Sequence, residues 1–237
     1  MTDGNDSGTK IKICGLRRRE DILAVNEAKP DYCGFIIEFP SSFRSVTADE
    51  VRELVKELDP EIRPVGVFVN APMELVRTLL DDGTLALAQL HGQEDESYIR
   101  ELKIYTDKLI IKAFSIKTAE DIEKALQSPA DYILLDQGGG GTGKTFDWSL
   151  IPEIQRPFFL AGGIGASNLG QAIREIHPYA VDLSSSVETE KRKDPMKIRQ
   201  VVDIVREIRC FEKKHRGGYK CQKEDLEYME GSTFRRH

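Results

Sequence analysis

Residues 131–148, DYILLDQGGGGTGKTFDW, decide the fold. Tyr132 to Leu135 form a short apolar run that ends in an acid, Asp136, and then in a glycine-rich loop from Gly138 to Gly143. An apolar run of this length bounded by turn residues reads as a buried strand. Side chains alternate along a strand, so Tyr132, Leu134 and Asp136 share one face and Ile133 and Leu135 the other. Asp136 therefore stands where a strand hands over to a loop. Parallel α/β folds place their chemistry there.

The same stretch matches a phosphate-binding loop to the letter, through Gly138, Gly143, Lys144 and Thr145 in the pattern G-x-x-x-x-G-K-T. That motif works only when a helix starts at the Lys-Thr, because the helix N-terminus holds the phosphates. Here Pro152 follows, and at most about two turns of helix fit before the next apolar run at Pro157. The reading is a flexible loop whose lysine covers an anionic ligand; a solvated glycine turn without a ligand is the bland alternative, and a nucleotide-binding module a third.

Working outward, apolar runs and amphipathic segments alternate along the chain. Strands are expected at 10–14, 32–37, 65–69, 85–91, 109–114, 132–136, 158–161 and 180–184. Helices are expected at 17–27, 48–58, 72–80, 94–105, 118–127, 148–154, 167–176 and 195–209. Strict alternation implies parallel strands. Eight units in about 200 residues is the arithmetic of an α/β fold of the (β/α)8, or TIM barrel, type. An open doubly wound sheet is the alternative, but it carries a G-x-G-x-x-G turn after strand one. This chain has Cys14-Gly15-Leu16 there. Residues 1–9 read as a disordered tail, 10–209 as the barrel, and the Lys/Glu/Arg-rich residues 210–237 as an appended polar tail.

Composition narrows the function classes. At 237 residues with 40% apolar content, the chain can bury a substantial core. A net charge of −6 leaves no basic footprint for nucleic acid. No apolar run is long enough to span a membrane, and the polar N-terminus is no secretory signal. The four cysteines, Cys14, Cys33, Cys210 and Cys221, form no C-x-x-C pair and read as free thiols of a cytoplasmic protein. No His/Cys cluster has metal-ligand spacing, so no metal or other cofactor is expected.

In a barrel the strand ends converge on one mouth. They bring Cys14, Arg44, His91, Asp136, Gly162, Gly163, Ser184 and Ser185 there. Alternation puts Lys12 on the inner face with Cys14, about 6.6 Å away, and pairs Asp182 with Ser184. Ile11, Ile13, Val181 and Leu183 then face the helices. Glycines and serine amides after strands seven and eight suit a phosphate. A thiol and a carboxyl across one mouth suit proton transfer in both directions. Asp136 must be protonated to act as an acid, which burial favours. Cys14 must become a thiolate, and Lys12 is expected to lower its pKa. Taken singly, each residue has a plainer reading: a core cysteine, a loop-capping aspartate, a surface arginine. Their joint placement makes them candidates.

Several ordered stretches resemble one family. They are Lys12-Ile-Cys-Gly15, Pro40-Ser-Ser-Phe-Arg-Ser45, Val65-Gly-Val-Phe-Val-Asn70, Gln89-Leu-His-Gly92, Leu134-Leu-Asp136, Gly140-Gly-Thr-Gly-Lys-Thr-Phe-Asp-Trp148, Ala161-Gly-Gly-Ile164, Val181-Asp-Leu-Ser-Ser185 and Lys193-Asp194. Together they resemble phosphoribosylanthranilate isomerases of tryptophan biosynthesis from Lys10 to about Arg209. The resemblance implies a cofactor-free Amadori rearrangement of a small phosphoribosyl substrate by a monomer or homodimer. It implies Asp136 as general acid, Cys14 as general base, and Arg44 on the anthranilate carboxylate. The phosphate falls near Gly163 and Ser185. His91, Gly162, Asp182 and Ser184 complete the candidate substrate-binding set. The chain departs from the family pattern at Ser186, where glycine is usual, and at Glu190-Lys191-Arg192. The sister isomerase of histidine biosynthesis has an aspartate at the strand-one position, so Cys14 argues against it. A non-catalytic phosphoribosyl-binding barrel is the remaining alternative.

Overall fold

A computed structural model describes residues 8–137 and 148–217. The glycine-rich loop with Lys144, most of the N-terminal tail, Cys221 and the end of the C-terminal tail lie outside the described residues. Eight strands form the ring: β1 (Lys10–Cys14), β2 (Tyr32–Ile37), β3 (Arg63–Phe68), β4 (Leu87–Leu90), β5 (Leu109–Ser115), β6 (Tyr132–Asp136), β7 (Phe158–Leu160) and β8 (Ala180–Leu183). Seven α-helices intervene or follow: α1 (Arg19–Ala28), α2 (Ala48–Lys56), α3 (Met73–Asp81), α4 (Glu96–Tyr105), α5 (Ala119–Leu126), α6 (Leu169–Ile176) and α7 (Pro195–Gly217). Each strand is parallel to its neighbours, and β1 pairs with both β2 and β8, which closes the barrel.

The helix expected at 148–154 is a single 3-10 turn, Trp148–Leu150. Pro152 explains the difference, since proline in a helix interior removes a hydrogen bond and clashes with the preceding turn. Helix α7 continues eight residues past Arg209. Helix α2 starts where the sequence directs: Thr47 Oγ1 accepts from the Glu50 amide at 3.1 Å, and Glu50 Oε2 accepts from the Thr47 amide at 2.7 Å. This reciprocal box satisfies two amides that a helix start otherwise leaves unpaired.

Alternation along the strands separates two cores. Ile11, Ile13, Val181 and Leu183 are buried in the layer between strands and helices. Tyr32, Val65, Leu87, Ile111, Leu134 and Phe159 fill the barrel interior. Tyr132 and Tyr179 stack with centroids 4.9 Å apart, and Phe159 packs edge-on against Tyr32 and Tyr132 at 5.6 Å. The Tyr32 and Tyr179 hydroxyls meet at 2.8 Å. This aromatic plug leaves the polar inward residues Lys12, Gln89 and Asp182 above it, toward the strands' C-terminal ends.

Candidate active site

The first half of the site follows from strand register. Lys12 lies opposite Asp182 on β8, and Cys14 opposite Gly34 on β2. Lys12 is fully buried, and its ammonium donates to Asp182 Oδ2 at 2.8 Å. A Cβ on Gly34 would come within 2.7 Å of Cys14 Sγ and 3.1 Å of Lys12 Nζ. Glycine at 34 is thus what allows a thiol and an ammonium to share this corner.

All three groups hold their protons more tightly than usual. Burial pushes the Cys14 thiol up; the neighbouring Lys12 charge pulls the other way without prevailing. Lys12 thus acts on Cys14 in the expected direction, but in the free site desolvation of the thiolate outweighs one ammonium. Burial alone would lower Lys12, but Asp182 beside it raises it. Burial raises the Asp182 carboxyl in turn, against the pull of Lys12. Asp182 Oδ1 is buried and has no hydrogen-bond partner, so it is an acceptor without a donor.

The second half sits at the ends of β4 and β6. His91 Nε2 faces Asp136 Oδ2 at 3.7 Å, and the Asp136 side chain is 16% exposed. Gln89 Nε2 contacts His91 Nδ1 at 2.9 Å, which suits the tautomer carrying its proton on the nitrogen that faces Asp136. The loop bearing His91 is held by buried Lys112, which donates to the Gly92 carbonyl at 2.7 Å and to Glu94 at 3.0 Å. Gly162 has φ +83°, and a Cβ there would lie 2.6 Å from Asp136 Oδ1. Asp182 feels the charges of both His91 and Asp136, which joins the two halves electrostatically.

The remaining candidates lie around the rim. Ser184 turns its hydroxyl back to donate to the Cys14 carbonyl at 3.0 Å. Ser185 is exposed and opens the 3-10 turn Ser185–Val187. Gly163, φ +67°, accepts from Asn168 Nδ2 at 3.0 Å just before α6. The Arg44 guanidinium is paired with Glu188, a residue that sequence reasoning missed. Buried Lys193 shares the same carboxylate at 2.7 Å. Among the described residues no group of three or more His, Cys, Asp or Glu side chains is placed to hold a metal ion, and no described helix is long and apolar enough to cross a membrane.

A family model for N-(5'-phosphoribosyl)anthranilate (PRA) isomerase matches residues 11–204. The chain belongs to that family. The PRA isomerase of Endomicrobium trichonymphae is 44% identical over 203 residues, covering 84% of this chain and 99% of that protein. The crystal structure of the Thermotoga maritima PRA isomerase matches at 35% identity with a TM-score of 0.76, covering 84% of this chain and 99% of that one. Another crystal structure, a PRA isomerase in complex with reduced 1-(o-carboxyphenylamino)-1-deoxyribulose 5-phosphate, matches at 34% identity and TM-score 0.74, with 84% and 99% covered. In this PRA isomerase family member the backbone at Ser186 does not require glycine. Ser186 is not among the residues with positive φ, and its Cβ stands 3.1 Å from where a Cβ of Gly165 would be. A Cβ at 165 would press on Ser186, so the glycine there leaves room for the serine.

Proposed function

We propose that this chain catalyses the Amadori rearrangement of N-(5'-phosphoribosyl)anthranilate to 1-(2-carboxyphenylamino)-1-deoxyribulose 5-phosphate in tryptophan biosynthesis. The observation that carries the reading is the single cluster formed by Lys12, Cys14 and Asp182 with His91 and Asp136, on a chain of this family. Asp136, as general acid, gives a proton to the furanose ring oxygen, and the ring opens to a Schiff base. Cys14 as thiolate takes the proton from ribose carbon 2, and the resulting enolamine tautomerises to the ketone. The reaction is redox-neutral: one proton is given and one is taken, so no cofactor is required. Lys12 steadies the thiolate as it forms, since an adjacent cation favours the charged thiol. Asp182 Oδ1, buried and unpartnered, accepts from a substrate hydroxyl.

Arg44 binds the anthranilate carboxylate, for which a guanidinium fork is suited. The phosphate rests on the loops around Gly163 and Ser185, where glycine and the first amides of a helical turn favour an anion. Gly162 keeps Asp136 in place by lacking a Cβ, while His91 and Ser184 complete the substrate's surroundings. Residues 10–209 form the catalytic domain, with α7 running on to Gly217, and work as a monomer or homodimer. A cytoplasmic setting suits the free thiols Cys14, Cys33 and Cys210. The test uses substrate generated in place from anthranilate and phosphoribosyl pyrophosphate by the transferase that joins them. Protein-dependent loss of the anthranilate-type fluorescence supports the isomerase. Unchanged fluorescence, with the reduced product analogue still bound, means a binding barrel without turnover.

A further inference from the structure

We propose that Glu188 is the positioning residue that fixes which edge of the Arg44 guanidinium is offered to the substrate carboxylate, an inference that rests on the Arg44 role above. The Arg44 stem crosses Gly15, next to Cys14: a Cβ on Gly15 would come within 2.5 Å of Arg44 Cδ. Three contacts then fix the head group. Arg44 Nε donates to Glu188 Oε1 at 2.7 Å and Arg44 NH2 to Glu188 Oε2 at 2.7 Å. The Phe43 ring lies against the guanidinium, 4.2 Å from the ring centroid to Cζ. The ring restrains the plane, and the side-on fork restrains rotation within it.

A guanidinium has five N–H donors in a rigid fork. Glu188 takes the Nε and NH2 side, which leaves the NH1/NH2 end for a second carboxylate without displacing the first. Glu188 itself is not free to swing aside. Its side chain is 8% exposed, and Lys193 donates both to it at 2.7 Å and to the Ser184 carbonyl at 2.9 Å. The paired cations also hold the Glu188 carboxyl below its ordinary range, although burial opposes them, so it stays charged. The loop after β8 thereby orients a side chain carried by the loop after β2, beside the strand that carries Cys14.

The test compares two ligands, the reduced product analogue with its ring carboxylate and the same molecule with an unsubstituted phenyl ring. In the full-length protein, Glu188→Gln should weaken the carboxylated ligand about tenfold, the scale of one charge-assisted hydrogen bond. The phenyl ligand should change by less than about twofold, within the scatter expected of a contact not made. The KM for substrate should rise with little change in kcat. Glu188→Asp, which keeps the charge but reaches less far, should fall between and guards against a Gln variant that does not fold. Equal weakening of both ligands would make Glu188 a support for the loop and overturn the inference. Tighter binding of the carboxylated ligand would make it a competitor for Arg44 and overturn it too. If Arg44→Ala leaves the ratio between the two ligands unchanged, the fault lies with the Arg44 reading, and the inference falls with it.

Discussion

Replacing Asp182 with Asn removes the charge that lets Lys12 stand inside the barrel. Lys12 is fully buried, and its ammonium meets Asp182 Oδ2 at 2.8 Å. Asparagine keeps the size and one acceptor but leaves the ammonium uncompensated. Breaking a buried pair from one side costs about 3–5 kcal/mol. A domain of this size shifts its melting temperature by about 2–4 °C per kcal/mol, so a fall of roughly 10 °C follows. The pH dependence has a definite sign. In the wild type the Lys12 pKa is raised: burial alone would lower it, and Asp182 reverses that. The contribution of Lys12 is therefore complete at neutral pH and is lost only as pH rises through the raised value. In the variant only Cys14 is left to oppose burial, and a thiol whose own pKa is raised carries no charge at neutral pH, so the folded value drops below the unfolded one. Between the two values the unfolded chain binds more protons, and stability rises with pH by up to about 1.4 kcal/mol per unit. The deficit should thus narrow from neutral to mildly alkaline pH. Thermal and urea melts at both pH values measure it, with Asp49→Asn as a control whose side chain is 95% exposed. A variant that melts within about 2 °C of the wild type at both pH values would refute the buried-charge argument.

Three further outcomes are expected. Gly34→Ala drives a methyl into Cys14 Sγ at 2.7 Å; stability should fall by about 1–3 kcal/mol in urea melts, and turnover by about a hundredfold in steady-state kinetics as the thiol is displaced. The ultraviolet thiolate signal assigned to Cys14 by difference from Cys14→Ser should titrate above the ordinary thiol range, because burial raises it, and Lys12→Met should move it higher still, because Lys12 opposes that rise. His177→Gly should stabilise the fold by up to about 1 kcal/mol in urea melts with activity unchanged, since His177 ends α6 at φ +48°, a conformation that costs a side chain about 1–2 kcal/mol and glycine almost nothing.

The fold was largely legible because burial and alternation are local signals. The runs at Lys10–Cys14, Tyr132–Asp136 and Ala180–Leu183 are strands, and their inward and outward faces fall where period two puts them. The segment 148–154 was misread because its apolar residues have helical spacing, whereas Pro152 permits only the turn Trp148–Leu150. Cys14, Asp136, Arg44 and His91 could be found as chemical side chains at strand ends. Glu188 could not: it meets Arg44 across 144 residues of chain, a pairing set by barrel closure and by nothing near it in sequence. Lys112 gave no signal either, being an apparently misplaced charge in an apolar strand until the Glu94 loop folds over it. Gly34 was readable in part, since a glycine inside the apolar strand Tyr32–Ile37 marks a close approach; what approaches, the Cys14 thiol, only the register reveals.

In the proposed mechanism Cys14 and Asp136 move the protons, and that assignment stands or falls on their side chains. It is tested most directly by turnover of Cys14→Ala and Asp136→Ala on substrate generated in place, alongside binding of the reduced product analogue to each. Both variants should bind the analogue nearly as the wild type does while turnover falls by at least about a hundredfold, the scale of a lost acid or base. Near-normal turnover in either variant would contradict it.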